Sequence, residues 1–287
     1  MNFDFFTFGG LYYWEDVFNY HNWVIQKNEK TNKYRLLDNY NIRRHSGSFD
    51  DCKNTLLKYI EAYELPHTYD DSIILIHDFA KTKKSMKAIV DSLKDVKANI
   101  IAINYASLRR GITYHSNSLS SFIKNLQNKN NLYFINNGAG CLILRKMLGA
   151  CNNFRSLKIK GVIDINPINS GSDAAEILIR KNFFRYIFGQ MLSDISTKNA
   201  LLIPRLPKDI PHGIIFSPSR RDRFLKKLLS KYESITPLTP PSEQSYAKNV
   251  TYIKHIGKSS LNNPELFKQC KSFIETNTFL EIENNPK

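Results

Sequence analysis

From about residue 72 onward, short apolar runs rich in Ile and Val alternate with longer amphipathic stretches. The runs predict strands at Ser72 to Ile76, Asn99 to Tyr105, Leu132 to Asn136, Ile159 to Ile165, His212 to Ser217 and Val250 to Ile256. Their near-continuous hydrophobicity implies cover on both faces, as in parallel strands joined by crossover helices. Between them, Ser85 to Val96 sets Met86, Ile89, Val90 and Leu93 on one helical face, and Asn263-Pro264 opens a helix predicted over Pro264 to Thr276. The expected fold class is α/β, an open doubly wound and mostly parallel sheet with helices on both faces.

The first 65 residues follow a different rhythm. Trp23 to Asn28 and Lys33 to Asp38 flank Glu29-Lys-Thr-Asn32 and predict a β-hairpin with a four-residue turn. Ser48 is placed to cap a helix running through Leu56, Leu57 and Ile60 and closed by Pro66. Residues 1–70 therefore form an expected hairpin-helix appendage packed on a core of residues 71–280, with 281–287 as a frayed tail.

With 42% hydrophobic and 12% aromatic residues, the chain can bury a full core, which excludes disorder for most of its length. The net charge of +15 points to anionic partners. The basic residues are dispersed and do not cluster beside exposed aromatics, which argues against nucleic acid. No apolar run approaches the roughly 20 residues that span a bilayer. The aromatic start, Phe3 to Trp14, carries Asp4 and no basic n-region, so neither a signal peptide nor a transmembrane segment is expected, and a cytoplasmic location is. Cys52, Cys141, Cys151 and Cys270 lie far apart without a CxxC pair, so free thiols are expected, and no metal or cofactor.

The segments Ile73-Ile-Leu-Ile-His-Asp-Phe79, Tyr133-Phe-Ile-Asn-Asn-Gly-Ala-Gly-Cys141 and Asn166-Pro-Ile-Asn-Ser-Gly-Ser172 together resemble the α/β-hydrolase fold family, in particular bacterial lipase- or esterase-like members. The resemblance covers most of the chain. In such enzymes the first segment reads His-Gly-x, the second is the Gly-x-Ser-x-Gly elbow that lifts a nucleophile at a helix start, and the third is a turn after the next strand. The resemblance also implies a cap over the pocket, at about residues 172–208.

On those matching positions the reactive groups are missing. Gly138 stands at the nucleophile position and Gly257 at the base position, while Glu233 matches the acid. The family's oxyanion hole maps to the loop at Asp78 and Phe79 and to Ala139, and a carboxylate at Asp78 is expected to oppose a developing negative charge there. Cys141, the alternative nucleophile, would need the bulky Ile143 inside the tight turn, and is expected to be a buried helix residue.

Two functional classes follow. The first is a hydrolase-fold pseudoenzyme, a lipase-like scaffold that binds an acyl or lipid-like ligand or a protein partner. The second is an atypical serine esterase that uses Ser116, Ser118 or Ser120 with His77, His115 or His255. N-capping of a helix accounts for the serines, and hydrogen bonding within the fold for His77. Two surface features point to anions. Ala175 to Leu192 mixes Ile177, Leu178, Ile179 and Phe188 with Arg180, which suits either a buried cap or an anionic membrane surface. Arg220, Arg221 and Arg223 open a predicted helix, where cations oppose its dipole and an anion would relieve them.

Overall fold

The Ile- and Val-rich runs do form parallel strands. The structure, a computed structural model, describes residues 13–66, 68–108, 110–126, 130–151, 154–180, 182–217, 246–253 and 260–281. Six strands, β5 (Asp71–Ile76), β6 (Asn99–Ile103), β7 (Asn131–Asn137), β8 (Ile159–Ile165), β9 (His212–Phe216) and β10 (Asn249–Tyr252), make one sheet in the order β10-β9-β8-β7-β5-β6. Every pairing within it is parallel. Ile73, Leu75, Ile135 and Ile163 face one cluster of the core, while Ile74, Ile76, Phe134 and Val162 face the other. A strand buried on both faces needs apolar side chains at every position, which is why these runs do not alternate.

Helices cover both faces. α2 (Lys87–Ser92) and α8 (Pro264–Thr276) lie against the first cluster; α3 (Ile112–Asn125) and α4 (Gly140–Ala150) lie against the second. α8 has the predicted bounds, with Asn263 Oδ1 accepting the Glu265 N–H at 3.0 Å. The predicted helix over Ser85 to Val96 is shorter. A 3₁₀ turn at Lys83–Met86 precedes α2, which stops at Ser92 although the apolar spacing continues to Leu93.

The N-terminal region contains the predicted hairpin, β2 (Trp23–Asn28) with β3 (Tyr34–Leu37), inside a larger element. β1 (Trp14–Tyr20) and β4 (Arg43–Gly47) extend it to a four-stranded antiparallel sheet in the order β1-β2-β3-β4. β4 is a polar edge strand with most of its side chains exposed, so it carries no hydrophobic pattern to find. α1 (Phe49–Ala62) begins at Ser48 with a reciprocal capping box to Asp51. It ends at Ala62, four residues before Pro66.

This sheet is tied to the larger one through Asp16. Its buried carboxylate accepts the Gln26 amide at 2.6 Å, the Lys83 ammonium at 3.0 Å and the Asn104 N–H at 3.1 Å, and the Asp16 N–H returns to Asn104 O at 2.8 Å. Glu15, also buried, accepts the Tyr114 hydroxyl at 2.8 Å from α3, and its desolvation raises its pKa. Between β8 and β9 run α5 (Asp173–Ile179), α6 (Asn182–Asp194) and α7 (Thr197–Ala200), with Ala175, Met191, Leu192, Ile195 and Ala200 in the core. No helix among the described residues is long and apolar enough to cross a membrane.

Candidate functional site

The chain leaves β5 for β6 on one side and then returns past β5 to β7 on the other. Such a reversal of strand order opens a crevice at the carboxyl ends of the strands, where ligands of open α/β sheets bind. The loop His77-Asp78-Phe79 and the turn Gly138-Ala139 both emerge there.

Gly138 sits at φ +53°, in the left-handed region that favours glycine. The elbow packs tightly. A β-carbon on Gly140 would come within 2.8 Å of Ile76 O, so α4 can start this close to β5 only with a glycine there. A β-carbon on Gly138 would meet Asp78 Oδ1 at 2.1 Å and Cγ at 2.3 Å. The space into which a side chain at position 138 would project is therefore filled by the Asp78 carboxylate.

The same oxygen, Asp78 Oδ1, accepts the Phe79 N–H and the Ala139 N–H, both at 2.8 Å. These are the two backbone donors at which the family resemblance places an oxyanion hole. The Asp78 carboxylate is itself the anion that these donors hold, so a second negative charge at that position would be opposed by it. The start of α4 favours this placement, since its first N–H groups carry partial positive charge.

His77 is fully buried between the loop and Tyr105. Its Nδ1 lies 2.8 Å from Asp78 O, Tyr105 donates its hydroxyl to His77 O at 2.9 Å, and the two rings stack with centroids 4.1 Å apart. Burial pushes its pKa down to about 4, so the imidazole is neutral. His115 meets the Tyr105 ring edge-on at 4.8 Å; its Nε2 lies 3.1 Å from Arg110 O, and burial lowers its pKa to about 3.

The serines do not cap α3. That helix begins at Ile112, whose N–H is accepted by Asp194 Oδ2 at 2.8 Å from α6, and Ser116, Ser118 and Ser120 lie within it. Ser116 Oγ donates to Thr113 O at 2.8 Å and Ser118 Oγ to Glu15 Oε2 at 3.3 Å. Cys141 is buried in the first turn of α4, and none of the four cysteines forms a disulfide. Glu233, Gly257, His255, Arg220, Arg221 and Arg223 lie outside the described residues, as does the tail from residue 282.

Three features went unread in the sequence. Arg145, a cation inside the apolar run of α4, is buried; its hydrogen bonds among the described residues go to neutral oxygens, and the Tyr246 ring lies 5.1 Å from its guanidinium carbon. It donates to Pro204 O at 2.9 Å, Ile203 O at 2.5 Å, and Asn169 O and Oδ1 at 3.0 Å each. It thus clamps the turn after β8 to the segment after α7. A charge in the middle of Leu142-Ile-Leu-Arg-Lys-Met was the available signal. Secondly, Asp164 accepts Asn136 Nδ2 at 2.8 Å and faces His212 Nε2 at 2.9 Å. The other ring nitrogen of His212 lies 3.0 Å from Tyr246 O, so this His–Asp pair has no nitrogen left to serve a nucleophile. Thirdly, Phe79 meets Phe188 of α6 edge-on at 5.5 Å, bringing the helical insertion onto the Asp78 loop. Leu178 and Ile179 pack on the core, while Tyr186, Leu201 and Leu202 are exposed.

No protein-family model matches the chain, and no curated protein sequence does. Solved structures do. The mature form of the Bacillus licheniformis lipase BlEst2 superposes with a TM-score of 0.53 at 11% identity, over 75% of this chain and 95% of that one. Its propeptide form gives 0.51 at 8% identity, over 78% of this chain and 54% of that one. At these identities the likeness is one of fold, and the chain has an α/β-hydrolase-like fold: a parallel sheet covered by helices on both faces, with an elbow-like turn at the end of a central strand.

Proposed function

We propose that this protein is a catalytically deficient member of the α/β-hydrolase fold, a pseudohydrolase that keeps the scaffold of a lipase or esterase without its ester chemistry. One observation carries the reading. Asp78 Oδ1 takes both backbone N–H groups that would stabilise an oxyanion, and the same carboxylate fills the space of a nucleophile side chain at Gly138. An ester carbonyl placed here would meet a negative charge in place of two free donors, and position 138 offers no hydroxyl or thiol to attack it. At the base position Gly257 offers no imidazole. A site without nucleophile and base keeps at most the residual effect of binding, on the order of 10³ to 10⁴ over water when the hole is intact.

In this reading the scaffold serves binding, of an acyl or lipid-like ligand or a protein partner. The exposed Tyr186, Leu201 and Leu202 on the helical insertion suit an apolar or anionic membrane surface. The test is hydrolysis of short- and long-chain nitrophenyl esters by the purified chain, against heat-inactivated protein and free imidazole, together with fluorophosphonate labelling. Background rates and no label are expected. Turnover well above both controls, or a labelled serine, overturns the reading and returns attention to Ser116, Ser118 and Ser120.

A further inference from the structure

Three aromatic rings run end to end from the core of the N-terminal sheet into solvent. Trp23, buried at the start of β2, packs on Tyr59 of α1 with centroids 4.8 Å apart. Tyr59 in turn stacks on Tyr63 at 5.6 Å, with the two ring planes 4° from parallel. The four-residue spacing of the tyrosines is what brings them together on a helix. Tyr63 is 63% exposed, so the stack stops at a ring with an open face. One more flat ring added there would gain the same offset stacking that joins the first three.

The β3–β4 turn brings cations to this ring. Asp38, buried just past β3, accepts the Tyr40 N–H at 2.9 Å and the Ile42 N–H at 2.8 Å through Oδ1, and the Arg44 guanidinium at 2.7 and 2.8 Å through Oδ2. One carboxylate thus fixes both the turn and the guanidinium. Tyr59 and Tyr63 are both near enough to act electrostatically on Arg44. Arg43, its neighbour on β4, is exposed and makes no ion pair among the described residues. Near Arg43, Arg35 bonds the neutral Gln26 Oε1 at 2.7 and 2.9 Å.

Negative charge is sparse here. From Asn39 to Gly47 the chain carries no carboxylate, and Tyr40, 76% exposed on the same turn, offers a second open ring. Glu61 and Glu64 are neither three nor four residues from Tyr59 or Tyr63, the spacings that set side chains beside one another on a helix. Open ring faces beside cations are what single-stranded nucleic acid requires, since its bases stack and its phosphates take the charge. An acidic peptide would use the arginines without the stack, and a bilayer would take up apolar side chains without a need for ring faces. The group is assembled from β2, the β3–β4 turn and α1, so the dispersed charges of the sequence do not display it.

We infer that this corner of the N-terminal sheet binds single-stranded nucleic acid, with one base stacked on Tyr63 and the adjoining phosphates on Arg43 and Arg44. The site is independent of the Asp78 loop and stands whether or not the protein hydrolyses esters.

The test is fluorescence anisotropy of labelled oligothymidylate with the full chain over a range of salt, beside the same strand in a duplex, poly-glutamate, and vesicles rich in phosphatidylglycerol. Saturable binding to the single strand is expected, and weaker binding to the duplex, whose base faces are hidden. Tyr63→Leu should weaken the single strand about tenfold, within the usual scale for loss of one stacked base, whereas Tyr63→Phe keeps the ring and the affinity. Arg43→Gln should lower the slope of log affinity on log salt by about 0.7, the value for one phosphate on a single strand, and Tyr63→Leu should leave that slope alone. Arg43 and Tyr63 are both exposed, so either variant serves if the other does not fold. The inference fails if no saturable binding occurs, if the duplex binds as tightly, or if poly-glutamate or the vesicles bind in place of the single strand. It also fails if the folded variants keep wild-type affinity, or if Tyr63→Phe loses as much as Tyr63→Leu.

Discussion

Asp78 and Gly138 constrain one another: a β-carbon on Gly138 would lie 2.1 Å from Asp78 Oδ1, the oxygen that also accepts the Ala139 N–H. The residues at these two positions are thus physically coupled. An Asp78 carboxylate on the Ala139 N–H requires that position 138 carry no side chain, and a glycine at 138 leaves room for the carboxylate.

Gly138→Ser should therefore fail both as a nucleophile and as a structure. The left-handed backbone alone costs roughly 1–2 kcal/mol with a side chain, and the clash with Asp78 adds to it. Urea unfolding should show a loss of about 2 kcal/mol or more. In an Asp78→Gly background the same substitution should cost clearly less, since the clash is gone. Equal costs in the two backgrounds, read as a double-mutant cycle, would mean that the carboxylate and the elbow are not coupled.

Acid should weaken the fold through its buried imidazoles. His77 and His115 have pKa values pushed down to about 4 and about 3 by burial, so in the folded chain they stay neutral where the unfolded chain takes up protons near pH 6.5. The unfolded state then binds more protons, and stability falls as pH drops below about 6.5 toward those values, by up to roughly 1.4 kcal/mol per pH unit and histidine. Above pH 6.5 both contributions are complete. Urea melts between pH 7.5 and 5 measure the slope, and His115→Gln should flatten it. An unchanged slope in that variant would show that His115 takes up its proton equally well in both states.

Arg145→Met should cost about 3 kcal/mol or more. It removes donors from four oxygens on two segments, three of them in buried hydrogen bonds; Pro204 O and Ile203 O belong to the stretch between α7 and β9. The loss should appear locally as well. Hydrogen exchange at residues 196–206 is expected to accelerate, whereas amides of β5 and β7 keep their protection. Thermal unfolding indistinguishable from wild type would show that the clamp contributes nothing.

Asp16→Ala should loosen the joint between the two sheets, because the carboxylate alone gathers Gln26, Lys83 and Asn104 from three elements. A loss of about 2–4 kcal/mol is the usual scale for removing one side of a buried charged network. Limited proteolysis should then cut between residues 63 and 71 sooner than in wild type. Resistance equal to wild type would assign the docking to apolar packing and to the Glu15–Tyr114 contact.

Much of the scaffold was legible in the sequence because its signals are local. Runs such as Ile73-Ile-Leu-Ile76 state that a strand is buried on both faces, and Asn263-Pro264 and Ser48 mark helix starts by groups that satisfy backbone donors a few residues away. The glycine at position 138 was equally readable, as a small residue where a strand turns sharply into a helix. What only the tertiary structure decided depends on partners distant in the chain. β4 exists because β3 offers it hydrogen bonds, not because Arg43-Arg-His-Ser-Gly47 favours a strand. α3 starts at Ile112, and not at the serines, because Asp194 of α6 reaches its first N–H group. Whether the Asp78 carboxylate turns away from the hole or into it is settled by the Ala139 N–H, 61 residues further along the chain, and no local pattern records that contact.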